Sequence, residues 1–225
     1  QIILFAVSVI ITRYLGKDDL GGYAALLVIP NFVCLLNSMG IETLVNKHLP
    51  ELNAIDASGN LGRCLLKKLL VFRLITAAIL CTSLYLAFPY YIEFINKQEL
   101  LQYRIIILTY FLVLTVNSFL STLFMTQLRY KLISITETAS VAVNLILLSL
   151  FVTMGLGIIG VLYAYVFSAA INILVYAWLS RTHFTGKAET LDWVEMKPLA
   201  LTSYGMSLFS FGLMTQSDVL LMNFF

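Results

Sequence analysis

Apolar residues occur along this chain in runs about as long as a membrane-crossing helix, and short polar breaks separate them. A helix needs about 20 mainly apolar residues to cross the hydrocarbon core of a bilayer. Five runs reach that length, the first run is shorter, and the last is still apolar at the final residue. The seven predicted spans are residues 1–12, 20–45, 69–88, 105–125, 132–154, 158–179 and 199–225.

The order of these runs predicts an all-α, polytopic helical membrane protein. Residues 1–180 would form a six-helix N-terminal lobe whose first span is truncated. Residues 181–198, the most polar stretch, would be a cytoplasmic linker between lobes. Residues 199–225 would be the truncated first helix of a second lobe. We therefore expect a fragment of a longer transporter that is built from two parallel repeats.

Composition supports a membrane location. The chain is 60% hydrophobic and 12% charged, with a mean hydropathy of +0.91, whereas soluble domains carry roughly 25% charged residues. A net charge of +2 is too weak a basic field to favour nucleic acid as a partner. The cysteines, Cys34, Cys64 and Cys81, are widely spaced and form no C-x-x-C pair, which argues against a disulfide framework or a zinc site.

The basic residues are divided unequally between alternate breaks, which predicts the orientation. Lysine and arginine are enriched in cytoplasmic loops, so the N-terminus is expected inside. Arg73 lies one turn inside the third span, where a long side chain could reach the cytoplasmic surface. The cytoplasmic set is Lys47, Arg63, Lys67, Lys68, Arg129, Lys131, Arg181, Lys187 and Lys197, and the outer set is Arg13, Lys17, Lys97 and Arg104.

One cytoplasmic break, residues 59–68, has an amphipathic pattern. Leucines at 61 and 65 share a helical face with Cys64, and Arg63 and Lys67 lie elsewhere on the helix. This pattern is typical of a helix that lies on an anionic leaflet. We therefore predict a short surface helix before the third span.

No catalytic or metal-binding arrangement stands out in the sequence. His48 and His183 have no further ligand at metal-binding spacing, and we interpret both as interfacial loop residues. The acidic residues within spans, Glu42, Glu137 and Asp218, are scattered singly, so carboxylate-pair and triad chemistry are not indicated. We expect neither an enzyme nor a cofactor.

Charged residues at membrane depth are costly and usually face a cavity or a partner. Asp218, about 20 Å along the seventh span, is the best candidate for lining a cavity, with a structural ion pair as the alternative. Glu42, Lys47 and Glu137 lie near the predicted cytoplasmic interface and favour interfacial charges or a local gate. Pro30 would kink the second span, which suits either alternation between two states or simple packing.

Several segments resemble polysaccharide flippases of the multidrug/oligosaccharidyl-lipid/polysaccharide exporter superfamily. Residues 13–16, Arg-Tyr-Leu-Gly, followed after four residues by Gly21-Gly22-Tyr23, resemble the signature R-x-L-G-x4-G-x-Y between that family's first two helices. Gly40-Ile41 with residues 49–51, Leu-Pro-Glu, resembles its end of helix two, and residues 157–160 its entry to helix six. Residues 216–218 are similar to its helix-seven segment, although Val219 stands where Arg is common.

The resemblance implies a transporter that flips a lipid-linked oligosaccharide, of undecaprenyl-pyrophosphate type, across the plasma (inner) membrane. Shelter for a polar glycan requires a hydrated cavity between lobes with cations near the phosphates, and Arg13, Arg73 and Lys47 are the candidates. Gly16 and Gly21 are candidate hinges, because glycine adopts backbone angles that other residues avoid. The alternatives are a cation-coupled multidrug exporter of the same superfamily and a membrane-embedded glycan-processing enzyme.

Overall fold

The computed structural model describes residues 2–56, 58–181, 184 and 197–214. These residues form eight α-helices and no strand, which confirms the predicted all-α class. The helices are α1 (Ile2–Tyr14), α2 (Lys17–Ser38), α3 (Ile41–Ile55), α4 (Asn60–Phe94), α5 (Arg104–Thr126), α6 (Tyr130–Thr153), α7 (Gly157–Ser180) and α8 (Lys197–Met214), with a 3₁₀ turn at Gln98–Tyr103 before α5.

Within the described part of the chain, five helices are long and apolar enough to cross a membrane: α2, α4, α5, α6 and α7. The predicted spans at 69–88, 105–125, 132–154 and 158–179 fall within or almost wholly within the last four of them. Many large apolar side chains point outward along these helices, including Val71, Ile79, Leu86, Ile146 and Leu174. An apolar exterior of this extent fits contact with lipid rather than with water.

The predicted second span, residues 20–45, is two helices rather than one. Met39 and Gly40 both have left-handed backbone angles, with φ of 42° and 72°, and they separate α2 from α3. Pro30 lies inside α2, which continues to Ser38. The chain therefore breaks near Gly40, where glycine accepts a left-handed angle without strain.

Residues 59–68 do not form a separate surface helix. They belong to the start of α4, which is 35 residues and therefore about 52 Å long. Because the hydrocarbon core is only about 30 Å thick, part of α4 extends beyond it. Gly62, Cys64 and Leu65 are buried against neighbouring helices instead of facing a leaflet.

The start of α4 is capped by Asp56, which lies in the connection from α3. The backbone N–H groups of Asn60 and Leu61 donate to Asp56 Oδ2 at 2.7 and 3.1 Å. The hydrogen bond from the Ser58 hydroxyl, together with these backbone bonds, stabilises the charged carboxylate and lowers the pKa of Asp56 to about 2. The cap satisfies N–H groups that have no partner within the helix itself.

Two apolar clusters pack at opposite ends of the bundle. The first joins α1, α2, the late parts of α4 and α6 and the starts of α5 and α7, with Leu26, Phe88 and Phe111 fully buried. The second joins α3, the early part of α4 and the end of α5, with Leu65 and Phe124 fully buried. Between these two clusters of large apolar side chains lies a middle level of the bundle.

Helix α8 begins against the break between α2 and α3. The hydroxyls of Thr43 and Ser203 are hydrogen-bonded to each other. A Cβ atom added to Gly40 would collide with the carbonyl oxygen of Ala200. The close approach of the α8 backbone and the left-handed angle both require glycine at position 40.

Candidate functional site in the bundle interior

Polar side chains form a layer between the two apolar clusters. On α4 the second apolar cluster ends at Leu70, the buried Arg73 follows, and the first cluster begins at Ala77. The same order of apolar, polar and apolar residues occurs along α5, α6 and α7. The layer has two parts, which we name the charged cluster (Asn37, Glu42, Arg73, Thr76, Thr115 and Ser118) and the neutral cluster (Asn117, Ser140, Asn144, Ser168 and Asn172).

The charged cluster is built around an ion pair between Arg73 of α4 and Glu42 of α3. The Arg73 side chain is only 1% exposed, and its Nη1 donates to Glu42 Oε1 at 2.6 Å. Arg73 Nη2 also donates to Ser118 Oγ at 3.3 Å, and Ser118 Oγ donates to the same Glu42 oxygen at 3.2 Å. Three helices therefore meet through one guanidinium group.

This ion pair lies well inside the bundle. Ser118 is 14 residues after the first residue of α5, about 21 Å along a helix of 23 residues. Arg73 is 13 residues, or about 20 Å, from the start of α4. A charge at this depth is stable only if a partner or water compensates it, and Glu42 is that partner here.

Neutral polar groups extend the charged cluster one turn further. Thr76 Oγ1 donates to Asn37 Oδ1 at 2.6 Å, and Asn37 Nδ2 donates to Thr115 Oγ1 at 3.5 Å. Among the residues that the structure describes, the buried Nε of Arg73 has no hydrogen-bond partner. A buried N–H of a charged group without an acceptor is costly, so this atom is a point where a ligand oxygen or a water would be stabilised.

The neutral cluster links α5, α6 and α7. Asn172 Nδ2 donates to Asn117 Oδ1 at 3.1 Å, and Asn144 Nδ2 donates to Ser168 Oγ at 3.2 Å. Beside these groups lies a cavity of about 170 Å³. Its lining includes Asn144, Ser168 and the ring of Tyr165. Interhelical amide bonds of this kind hold membrane helices together, at about 0.6–2 kcal/mol each.

The two motifs that resemble the flippase family meet in space. The backbone N–H of Gly157, at the start of α7, donates to the hydroxyl of Tyr14 at 3.0 Å. Tyr23, at the end of the first motif, is bonded through its hydroxyl to Tyr165 at 3.1 Å. Gly157 has a φ of 59°, which favours glycine. These motifs therefore fix the α1–α2 hairpin onto α7.

The structure does not bring the three predicted cations together. Arg13 is exposed in the last turn of α1, and Lys47 is exposed on α3 at the other end of α2. The 22 residues of α2 separate the two ends by about 33 Å. The Arg73 side chain is buried in the bundle. The prediction that it reaches the cytoplasmic surface, made from its position near the end of the predicted third span, was wrong.

The predicted hinge glycines have ordinary backbone geometry. Gly16 precedes α2 with a φ of −60°, and a Cβ there would meet nothing within 4 Å. Gly21 lies inside α2 and does not have a positive φ. The expectation that these two positions need angles reserved for glycine was wrong, and Gly40 and Gly157 have such angles instead. Asp218 and His183 lie outside the described residues.

Sequence reasoning missed the pairing of Glu42 with Arg73. It placed Glu42 near the predicted cytoplasmic interface, as an interfacial charge or part of a local gate. The available signal was a pair of opposite charges in neighbouring apolar segments, 31 residues apart. Among the described residues, no group of three or more His, Cys, Asp or Glu side chains could hold a metal ion.

Comparison with known proteins agrees with this arrangement. No curated protein and no solved structure matches the chain. The family described as "polysaccharide biosynthesis protein" matches residues 1–225, the whole sequence. The helical bundle with its five membrane-length apolar helices is the architecture expected of a transporter in that family. The chain therefore belongs to the polysaccharide biosynthesis protein family and is a polysaccharide-related, multi-pass membrane transporter.

Proposed function

We propose that this protein moves a lipid-linked oligosaccharide, of undecaprenyl-pyrophosphate type, from the inner to the outer leaflet of the cell's plasma (inner) membrane. The observation that carries the proposal is the charged cluster, a buried Arg73–Glu42 pair inside an apolar bundle, in a member of this family. A glycan and a pyrophosphate cannot cross hydrocarbon unless protein groups replace their water. Arg73 has the charge and the unused donor for such contact.

During alternating access, the first turn of α3 would couple movement of α8 to the Arg73–Glu42 ion pair. Glu42 is bonded to Arg73, while the next residue, Thr43, is bonded to Ser203 of α8. If α8 opens a second lobe, as the sequence pattern indicates, any rocking of that lobe pulls on the residue beside the ion pair. Rearrangement of the Arg73 contacts would then accompany each half of the transport cycle.

Arg13 and Lys47 would contact the pyrophosphate of the transported lipid at the two ends of its path through the protein. Lys47, exposed on α3, would meet the pyrophosphate on the cytoplasmic side, and Arg13 would meet it on the outer side. Asp218, in the predicted seventh span, would line the cavity. Pro30, Gly16 and Gly21 remain candidate hinge positions within the α1–α2 hairpin.

A cation-coupled exporter is the second candidate, because Glu42 is an acidic residue in the lobe interior. The Arg73 guanidinium already neutralises Glu42, so a coupling cation or proton would have to displace it. Coupling of that kind would make transport depend on breaking the ion pair. It would leave the identity of the transported molecule open.

The test is translocation in proteoliposomes that contain the full-length protein and a fluorescent lipid-linked oligosaccharide. We expect the glycan to become accessible to an added lectin on the far side, at unchanged glycan mass. Arg73→Met and Asp218→Asn should slow this when rates are compared per amount of folded protein in the vesicles, and the exposed Lys17→Gln is the matched control. Export of a cationic dye instead would favour the multidrug exporter, and a change in glycan mass would favour an enzyme.

A further inference from the structure

A groove opens on the surface between the start of α6 and the end of α7, apart from both polar clusters. Its volume is about 520 Å³, and it is a shallow surface groove rather than an enclosed cavity. The residues that line it are Arg129, Lys131, Leu132, Ile135, Thr136 and Leu179. The wall of the groove is apolar, and Arg129 and Lys131 are exposed basic residues beside it at the start of α6.

The basic end carries unneutralised charge. Arg129 and Lys131 are exposed, and neither has a carboxylate within 4 Å in the part of the chain that the structure describes. Arg181, which follows the last residue of α7, is a third exposed cation at this end. A phosphate group would satisfy these donors, because arginine and lysine bind phosphate oxygens strongly.

Aromatic residues place this end of the groove at the membrane surface. Tyr130, between the two basic residues, is 56% exposed, and Trp178, beside Leu179, is 63% exposed. The guanidinium of Arg181 lies 5.5 Å from the Trp178 ring centre. Exposed tyrosine and tryptophan are enriched at the level of lipid headgroups. The charges therefore lie where a headgroup phosphate lies.

The remaining lining suits an acyl chain. Ile135 is 59% exposed, about one turn deeper along α6 than Lys131. Leu132 and Leu179 form the rest of the apolar wall. Contact with a hydrocarbon chain would stabilise this exposed isoleucine, because it removes apolar surface from water.

The groove lies on helices that differ from those in contact with α8. Helix α8 packs on α2 and α3, whereas α6 and α7 form the groove. A groove that faces the bilayer is filled by the lipids of the bilayer. A path for the transported glycan would instead lie beside α8 and the charged cluster.

We propose that this groove binds one anionic phospholipid of the surrounding leaflet, with its phosphate on Arg129 and Lys131 and an acyl chain along Leu132, Ile135 and Leu179. The orientation expected from the basic loops makes this the cytoplasmic leaflet. The bound lipid would brace the α5–α6 turn against α7. This site is independent of the proposed transport path and of its substrate.

The test is native mass spectrometry of the full-length protein in detergent with added phosphatidylglycerol or phosphatidylcholine. We expect one phosphatidylglycerol to bind more tightly than phosphatidylcholine. Because each basic residue near an anionic surface contributes about 1 kcal/mol, R129Q/K131Q should lower phosphatidylglycerol affinity roughly 30-fold. The charge-retaining R129K/K131R and the distant K17Q should bind nearly as the wild type does.

Two further measurements distinguish binding of a whole phospholipid from binding of other phosphates. Ile135→Trp fills the apolar groove while keeping every charge, and it should also weaken phosphatidylglycerol binding. Free glycerol phosphate should not compete at concentrations at which the lipid binds. Equal binding of the two lipids, unchanged affinity in R129Q/K131Q with unchanged helix content, or displacement by lower concentrations of undecaprenyl phosphate would each overturn the proposal.

Discussion

At the scale of single residues, Arg73 is a buried charged side chain that needs hydrogen-bond partners from its neighbours. Its guanidinium is nearly inaccessible, and two of its nitrogens reach two different helices through Glu42 and Ser118. A planar fork of donors can make both bonds at once, which a lysine ammonium on a flexible stem does less well. This explains why arginine suits the position better than lysine.

Replacement of Glu42 and replacement of Arg73 should lower the free energy of unfolding by different amounts. Glu42→Met leaves Arg73 buried and charged, since arginine does not lose its proton in proteins, and should cost about 3–5 kcal/mol. Arg73→Met leaves a carboxylate that is 28% exposed and can be hydrated, so the cost should be nearer 1–3 kcal/mol. Unfolding of the purified protein in detergent measures both.

The double variant completes this prediction. Glu42→Met with Arg73→Met should be less destabilised than the sum of the single variants, because no buried charge is left unpaired. Glycan export should still be lost if the pair takes part in transport. Equal costs for both single variants, or additive costs in the double variant, would contradict the view that Arg73 depends on Glu42.

At the scale of elements, the break between α2 and α3 decides how the lobe meets α8. Gly40→Ala should be destabilised, since a left-handed angle costs a non-glycine residue about 1–2 kcal/mol and the added methyl also collides with the Ala200 carbonyl. Gly16→Ala is the matched control, because its φ is −60° and its surroundings are open. The melting temperatures of the two variants test the difference, and equal values would contradict it.

The cap of α4 predicts that the stability of the folded protein depends on pH. Hydrogen bonds lower the pKa of Asp56 to about 2 in the folded protein, whereas an unfolded aspartate titrates near 3.9. The charged form is favoured by folding, so its contribution is present above about pH 5 and is lost as the pH falls towards 2. Asp56→Ala should therefore melt below the wild type at pH 7, and the gap should narrow in acid.

Asp56→Asn is the control for that experiment. It keeps one acceptor oxygen for the α4 N–H groups but has no carboxylate to protonate. Its melting temperature should lie between those of the other two proteins at pH 7. A gap between wild type and Asp56→Ala that stays constant from pH 7 to pH 3 would show that Asp56 does not cap α4 as a carboxylate.

At the scale of the whole molecule, the α3–α8 contact allows the proposed motion to be stopped. Thr43→Cys with Ser203→Cys, in a background without the three native cysteines, places two thiols where two hydroxyls now bond. A disulfide there should lock α8 onto α3 and halt glycan export, and reductant should restore it. Full export by the oxidised, cross-linked protein would refute movement at this contact.

Orientation is a second property of the whole molecule. The basic residues predict that residues 186–195, which lie outside the described part, are on the cytoplasmic side. Single cysteines in that stretch should react with a membrane-impermeant maleimide only after the cells are opened. A cysteine at Lys17, in the opposite set of breaks, should react in intact cells. The reverse pattern would invert the orientation.

The sequence by itself determined the class of the molecule and most of its helices. Runs of about 20 apolar residues leave no alternative to helices in a bilayer, because every backbone polar group must be satisfied within its own segment. The spans at 105–125, 132–154 and 158–179 follow α5, α6 and α7 closely for that reason. The motif at residues 13–23, together with the weaker segments at 40–51, 157–160 and 216–218, indicated the family that the whole-chain match shows.

Only the tertiary structure decided what each polar residue inside a span contacts. Hydropathy measures how apolar a segment is and not which neighbour it has, so Asn37, Arg73 and Asn172 could not be assigned partners from the sequence. Contacts from other helices also decided the break at Gly40 and the continuation of α4 through residues 59–68. Glu42 and Arg73 are 31 residues apart in the chain, and the packing of α3 against α4 and α5 alone makes them one site.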